Sequence, residues 1–372
     1  MKVLLTGAAG FLGWHTCARL KALTDHEVVA VDREEWPDLA TYARGADAIV
    51  HLAGVNRGSD AEVLADNVEL ARRVAEAAES SGSAPRIVYA NSIQAGNGTP
   101  YGAGKAAAAD VLADAAGALG THFVDVRLPN LFGEHGRPRY NSFVATFVDA
   151  VVRGEVPQIA DRPVDLLHAQ GAAQTLIDAL STDAQRLDPD GTPTTVLGVY
   201  EMLRHFNELY ATGDIPPLGS ALEVDLFNTL RAARFPQRYP IDLVQRSDAR
   251  GDLVEVVRSH GGQGQTFVST THPGVTRGEH FHLRKVERFV VVGGEARISL
   301  RRLFTDQVVS FDVSGSAPVV VDMPTMWVHN ITNTGTADLT TLFWTNELFD
   351  PAAPDTFAEP VAPDTMARQG SL

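Results

Sequence analysis

Lys2-Val-Leu-Leu-Thr6-Gly7-Ala-Ala-Gly10-Phe-Leu-Gly13 is the stretch that sets the fold. A short apolar run with no polar alternation reads as a strand buried on both faces, the pattern of a parallel sheet. Glycines follow at once. Their spacing lets the backbone turn sharply, lets an anion approach bare amide groups, and lets the next helix pack on the strand. That helix is expected to carry Trp14, Cys17 and Leu20 inward. Glu27-Val-Val-Ala-Val-Asp32 is a second strand, ending in a carboxylate about twenty residues past the last glycine. The combination predicts a doubly wound, Rossmann-like α/β sheet with a dinucleotide on its glycine turn. Asp32 suits the ribose hydroxyls of an unphosphorylated cofactor, whereas Arg33 beside it suits a ribose phosphate. NADH and NADPH therefore both stay open.

Moving outward, Ala48-Ile-Val-His51-Leu52-Ala53-Gly54 is a third strand and turn, and Glu62 to Glu79 has helical spacing of Val63, Leu64, Val68, Leu70, Val74 and Ala77. Arg86-Ile-Val-Tyr-Ala-Asn-Ser92 is a strand that ends in a hydroxyl. After it, Tyr101-Gly-Ala-Gly-Lys105 opens an alanine-rich segment with the composition of a helix. Residues four apart share a helix face, so a phenol and an ammonium meet there. The ammonium favours phenolate and is expected to lower a phenol pKa that starts near ~10. Such a hydroxyl can donate and accept a proton, and Ser92 can hold a carbonyl in line with it.

Late in the chain, from Ile241, the pattern changes to short β-rich runs punctuated by Gly, Pro, Asn and Asp. Gly251–Val257, Gln265–Thr270, Arg288–Val292, Ala296–Leu300 and Val319–Asp322 all read as strands of an antiparallel barrel or sandwich. Within them, Gly274-Val-Thr-Arg-Gly-Glu-His280-Phe-His282 puts two imidazoles on one face of an extended segment. Glu287 can add a third ligand and His329 a fourth, a complete set for a divalent first-row metal.

Thr6 to Gly13, Ser92, Tyr101 and Lys105 together resemble the fingerprint and Ser-Tyr-Lys set of the extended short-chain dehydrogenase/reductases. That resemblance implies hydride exchange at a carbinol or ketone carbon, with Lys105 also holding the nicotinamide ribose. It implies cofactor contacts from Gly7, Gly10, Phe11, Leu12, Gly13, Asp32, Arg33, Leu52, Ala53 and Gly54. Arg127 and Asn130, in His122-Phe-Val-Asp-Val-Arg127-Leu-Pro-Asn130-Leu-Phe-Gly133, and Asn56 are the substrate contacts it implies. Pro157–Val164 and Leu166–His168 read as short strands of a substrate-side lobe.

The later half resembles the cupin (jelly-roll) barrels. Gly274, His280, His282, Glu287 and Gly294 match the first cupin box; Pro324, His329 and Asn333 match the second. Met326 stands where that box has glycine and is expected to alter the turn while keeping the site. A division near Pro240 gives a reductase part with its substrate lobe, 1–240, and a metal cupin, 241–372.

The order of these two parts, with His51–Arg57, Leu128–Asn141 and Asn346–Phe357, resembles the CapF-type bifunctional capsular polysaccharide enzymes over nearly the whole chain. The resemblance implies a UDP-linked 2-acetamido-4-keto-6-deoxy sugar, epimerised at C3 and reduced at C4 with NADPH. It further implies a homodimer and zinc in the cupin. A C4 ketone acidifies the C3 proton and reduction abolishes that acidity, so epimerisation has to come first. No tyrosine follows Tyr239, so proton transfer in the cupin falls to the metal, its water, or a rim residue such as His272 or Glu279. A reductase whose cupin is only a dimerisation module, and a catalytically silent sensor, are the competing readings. Intact Ser92, Tyr101 and Lys105 disfavour the sensor.

Composition narrows the partners. The 372-residue chain has a net charge of −15 and no Lys/Arg block, which disfavours nucleic acid and anionic membranes. It begins without a secretion-signal pattern, and no apolar run is long enough to span a bilayer. Cys17 is the single cysteine, so no internal disulfide forms, as expected of a cytoplasmic protein. Its expected role is a small core side chain.

Overall fold

Val3, Leu4 and Leu5 are wholly buried because strand β1 (Lys2–Thr6) lies inside a six-stranded parallel sheet in the computed structural model, which describes residues 1–362. β2 (Glu27–Val31) and β3 (Ala48–His51) flank it. β4 (Arg86–Ser92) and β5 (Phe123–Leu128) follow beyond β3, with Arg186–Leu187 at the edge. Strand order reverses between β1 and β3, so the loops leaving those strands diverge and open a crevice at the sheet's C-terminal rim.

Strand alternation divides the core in two. Leu4, Ile49, Ile87 and Tyr89 face helices Asp60–Ser80 and Pro100–Leu119, meeting Ala71, Val74, Ala108 and Leu112. Val3, Leu5, Val50 and Val88 face the opposite way, meeting Leu20, Ala172 and Leu176 of helices Phe11–Leu23 and Ala169–Asp178. The alanine-rich sequence has a packing reason: a Cβ on Gly104 would lie 3.1 Å from Leu64 Cα on the neighbouring helix. Ser59 and Glu62 form a capping box that starts helix Asp60–Ser80.

Two inward faces differ from the sequence expectation. On the first helix, Leu20 is buried, but Trp14 and Cys17 are only half-buried, and His15 and Thr16 point in instead. His15 does so because Gln170 on the facing helix meets its Nδ1 at 2.9 Å. Burial still pushes the Cys17 thiol up to about 12, so it stays protonated. On helix Asp60–Ser80, Leu64 is exposed and Asn67 buried; the Asn67 amide ties down Val55 and the carbonyl of Val63. Of the two short strands expected around residues 157–168, one forms, Pro163–His168, paired in parallel with Asn130–Phe132.

By backbone contacts, residues Met1–Phe132 and Pro163–Thr194 form one unit. Gly133–Arg162 and residues 195–362 form a second. The second holds helices Phe143–Arg153, Val196–Tyr210 and Ala221–Arg234 together with two five-stranded sheets. One sheet runs Ile241–Asp242, Val319–Met323, Glu287–Gly293, Leu339–Thr345, Gln265–Thr271. The other runs Val308–Ser314, Glu295–Arg302, Trp327–Asn333, Thr276–Phe281, Phe357–Ala358. All their pairings are antiparallel, the double-sheet arrangement of a jelly roll. Among the described residues no helix is long and apolar enough to cross a membrane.

Candidate active site and metal centre

The glycine turn is built for close backbone approach. Gly7 has φ +73°, and a Cβ there would come within 2.8 Å of the Ala53 nitrogen; a Cβ on Gly13 would collide with the Gly7 carbonyl. Gly10 caps helix Phe11–Leu23 without a side-chain bond, so the first-turn amides offer their N–H groups to an anion. The Ala9 N–H donates to Asp32 Oδ1 at 2.6 Å, tying the acidic end of β2 to this turn, while Arg33 is exposed. Leu52, Ala53 and Gly54 leave β3 beside them. A narrow amide-lined cradle with a carboxylate at its flank fits a dinucleotide.

β4 and helix Pro100–Leu119 bring Ser92, Tyr101 and Lys105 into one group. Ser92 hydrogen-bonds the Tyr101 hydroxyl. Lys105 is buried, donates to the Ala90 carbonyl at 2.7 Å and lies 4.0 Å above the Tyr89 ring. Here one expectation is corrected. Burial raises the Tyr101 phenol, and only the Ser92 bond pulls it back. Lys105 does not lower it, because the ammonium is turned toward the Ala90 carbonyl and the Tyr89 face.

A polar line across the sheet escaped the sequence reading. Asp125 on β5 accepts from Asn91 Nδ2 at 2.7 Å and from Arg127 Nε at 2.8 Å. Asn91 Oδ1 in turn accepts the Ser92 N–H at 2.9 Å. On the other side, His51 stacks on Tyr89 and meets Thr6 Oγ1 at 2.7 Å. Burial, reinforced by the Lys105 charge, pushes His51 down to about 3, so it is neutral. The one signal in the sequence was an aspartate amid the apolar residues of Phe123-Val-Asp-Val-Arg-Leu128. Arg127 is thus paired; Asn130 is half-buried, its amide 3.4 Å from the Asp165 carbonyl, and Asn56 is exposed beyond β3.

In the barrel, one ligand atom from each of His280, His282, Glu287 and His329 lies within 4.8 Å of the others. A bulge between Gly278 and His280, where Glu279 has φ +60°, lies just before the two histidines. Beyond it the expected alternation holds, and His280 and His282 turn to the same centre, His280 opposite His329. Glu287 Oε2 lies 2.9, 3.2 and 3.9 Å from the Nε2 atoms of His282, His329 and His280. His282 Nδ1 meets the Asp355 carbonyl and His329 Nδ1 the Trp327 carbonyl. Carbonyls only accept, so these Nδ1 atoms carry protons, and both Nε2 atoms point at the shared centre.

Burial pushes His329 down to about 4, keeping it neutral despite Glu287. Burial alone would raise the Glu287 carboxyl. The His282 charge and hydrogen bonds from the three imidazoles outweigh it and hold the carboxyl well below its usual range. Three imidazole nitrogens and one carboxylate converging in a buried pocket fit a divalent first-row metal. Met326 takes the left-handed φ of +60°, a conformation glycine adopts more readily, with its N–H on the His282 carbonyl at 2.7 Å. The rim residues are engaged elsewhere: exposed His272 pairs with Asp338, and the Glu279 carboxylate with Asn330 and the Val361 N–H.

A parallel sheet with a glycine cradle and a Ser-Tyr-Lys group, joined to an antiparallel β-domain, defines an NAD(P)-dependent enzyme of the epimerase and reductase class. Residues 3–187 match the NAD dependent epimerase/dehydratase family and residues 246–357 the polysaccharide biosynthesis C-terminal domain. The chain is 35% identical over 366 residues to the UDP-2-acetamido-2,6-beta-L-arabino-hexul-4-ose reductase of Pseudomonas aeruginosa, spanning 96% of this chain and 98% of that one. It is similar to the crystal structure of the capsular polysaccharide assembling protein CapF from Staphylococcus aureus, at 33% identity and TM-score 0.64 over 97% of this chain and all of that one. A UDP-glucose 4-epimerase of Thermotoga maritima shares the fold alone, at 18% identity and TM-score 0.54 over 63% of this chain and 99% of that one. The chain belongs to the CapF family.

Proposed function

We propose that this enzyme epimerises C3 and then reduces C4 of a UDP-linked 2-acetamido-4-keto-6-deoxy hexose, using NADPH. The product is of the UDP-N-acetyl-6-deoxy-L-talosamine type, on the route to UDP-N-acetyl-L-fucosamine for surface polysaccharide. The observation that carries the reading is the Ser92–Tyr101–Lys105 group beside the glycine cradle, in a chain so similar to a 4-ulose reductase. Reduced nicotinamide supplies the hydride when bound. Ser92 holds the substrate ketone, Tyr101 delivers the proton to its oxygen, and Lys105 holds the nicotinamide ribose. Asn56, Arg127 and Asn130 bind the sugar nucleotide. Arg33, exposed beside a carboxylate already tied to the turn, supports the phosphorylated cofactor.

Lys105 gives this reading a pH signature. Burial lowers its ammonium to about 7, although the Asp125 carboxylate raises it. A lowered lysine is charged below that pH and neutral above it, so kcat/KM should fall as pH rises through about 7. In Asp125→Asn the supporting charge is gone, and the falling limb should move to lower pH. A wild-type profile flat across neutrality would remove the ammonium from the mechanism.

For the barrel, zinc or another first-row divalent ion suits His280, His282, Glu287 and His329, and would supply Lewis acidity for an enolate. One observation favours a second reading, in which the ion is structural: four protein ligands, of which only His280 keeps appreciable exposure, make a nearly closed set. Solvent deuterium separates the two. Tyr101→Phe, silenced for reduction, should still incorporate deuterium at C3 of the 4-keto substrate, and the added His282→Ala should stop it. Incorporation that survives His282→Ala would leave the metal a purely structural part. The family's homodimer belongs to this proposal too, and Gln265–Thr271, with Phe267 and Val268 exposed on an outer strand, is a surface that would serve it.

A further inference from the structure

The strand that bears His280 and ends one residue before His282 is held by a segment late in the chain. Phe357–Ala358 pairs antiparallel with it, Ala358 opposite His280 and Phe357 opposite Phe281. On the far side, buried Arg301 grips the carbonyls of Pro360 and Val361 at 2.8 Å each and the Glu359 carboxylate at 3.0 Å. The Val361 N–H donates to Glu279, the residue of the bulge next to His280.

Asp355 sits at the near end of this strap. It is only 3% exposed and has φ +45°, a conformation that costs a non-glycine residue energy unless its surroundings enforce it. Its carboxylate accepts the N–H groups of Leu283, Arg284 and Lys285 at 3.1, 3.0 and 2.8 Å. Its main-chain carbonyl accepts His282 Nδ1–H at 2.6 Å. The carboxylate fixes the backbone immediately after the ligand, and the carbonyl fixes the ligand's tautomer and ring plane. Both act across 70 residues or more of sequence.

We infer that Asp355 is the positioning residue of the metal centre: it engages Nδ1–H of His282 and so holds the ring with Nε2 aimed at Glu287 and His329. The inference rests on the metal reading of those residues and adds to it a requirement for the C-terminal strap. Residues of this kind, removed, weaken metal binding by roughly 10–100-fold.

The test uses the full chain stripped of metal, titrated with zinc alone against a competing chelator, and with cobalt(II) to record the d–d absorption of the site. Wild type should take up one equivalent per chain. Asp355→Ala should bind zinc about 10–100-fold more weakly and show altered cobalt bands. Asp355→Asn keeps the main-chain carbonyl and one accepting oxygen, so it should fold where the alanine variant does not and lose less affinity. Wild-type affinity and an unchanged cobalt spectrum in whichever variant folds would overturn the role of Asp355 while leaving the metal site standing. A wild-type chain that takes up neither ion would overturn both.

Discussion

Replacing Tyr101 by Phe is expected to lower kcat for NADPH-dependent reduction of the 4-keto sugar nucleotide by about 10²- to 10⁴-fold, the usual contribution of a positioned acid. The substitution keeps the ring and deletes one hydroxyl. That hydroxyl has two tasks in the proposed reaction: it donates to the ketone oxygen as the hydride arrives, and it completes the hydrogen bond with Ser92. Burial keeps the phenol protonated at neutral pH, so it starts the reduction in the donor form that the direction of reaction requires. The cofactor should bind as before, since the glycine cradle and Lys105 are untouched. The loss should therefore appear in kcat at saturating NADPH, with the KM for NADPH little changed. Full turnover in Tyr101→Phe would place the proton donor elsewhere and sink the reductase assignment.

How far the sequence could carry this site depends on the range of the interactions involved. Gly7 to Gly13, Ser92, Tyr101 and Lys105 were legible because each is defined by local spacing: a turn, a strand end, one helical repeat. The two imidazoles, Glu287 and His329 were legible for a related reason, since fixed spacings within short β runs place them. The interactions that orient these groups were not. Asp125 reaches Asn91 across a parallel pair, 34 residues away, and Asp355 reaches His282 through an edge strand that nothing before it in the chain announces. Such pairings follow from strand order and register, which one sequence does not state. The Lys105 expectation failed on the same ground. Helical spacing put the ammonium beside the phenol, but the direction of its Nζ was decided by a carbonyl on the neighbouring strand. Likewise, the inward placing of Trp14 was an argument from one helix alone, and Gln170 on another helix rewarded His15 instead.

The largest effect on stability is expected at Asp322, where a wholly buried charge network lies within the second unit. Arg288 and Asp322 are both 0% exposed and joined by two parallel bonds, at 2.8 and 2.9 Å. Tyr210 donates to the same carboxylate at 2.6 Å, and its oxygen lies 2.6 Å from that of Tyr239. The remaining guanidinium nitrogen donates to the carbonyls of Gly213 and Val256. Every polar atom of the pair thus has a partner, and the barrel is tied to the helix Val196–Tyr210 through it. Two buried charges are costly to desolvate, so the intact pair adds little net stability; breaking it is what matters. Asp322→Leu leaves the Arg288 cation and the Tyr210 hydroxyl without their acceptor, and should destabilise the second unit by about 3–5 kcal/mol. That is enough to lower its melting temperature by about 6–20 °C or prevent folding, since whole domains are stable by only about 5–15 kcal/mol. Arg288→Met with Asp322→Leu should recover most of the loss, because the apolar pair removes the stranded charge together with its partner. The measurement is a double-mutant cycle by thermal and urea unfolding, followed by barrel-specific probes such as Trp327 and Trp344. If Asp322→Leu and the double variant proved equally unstable, the penalty would come from lost packing, and the network would not be the electrostatic latch described here.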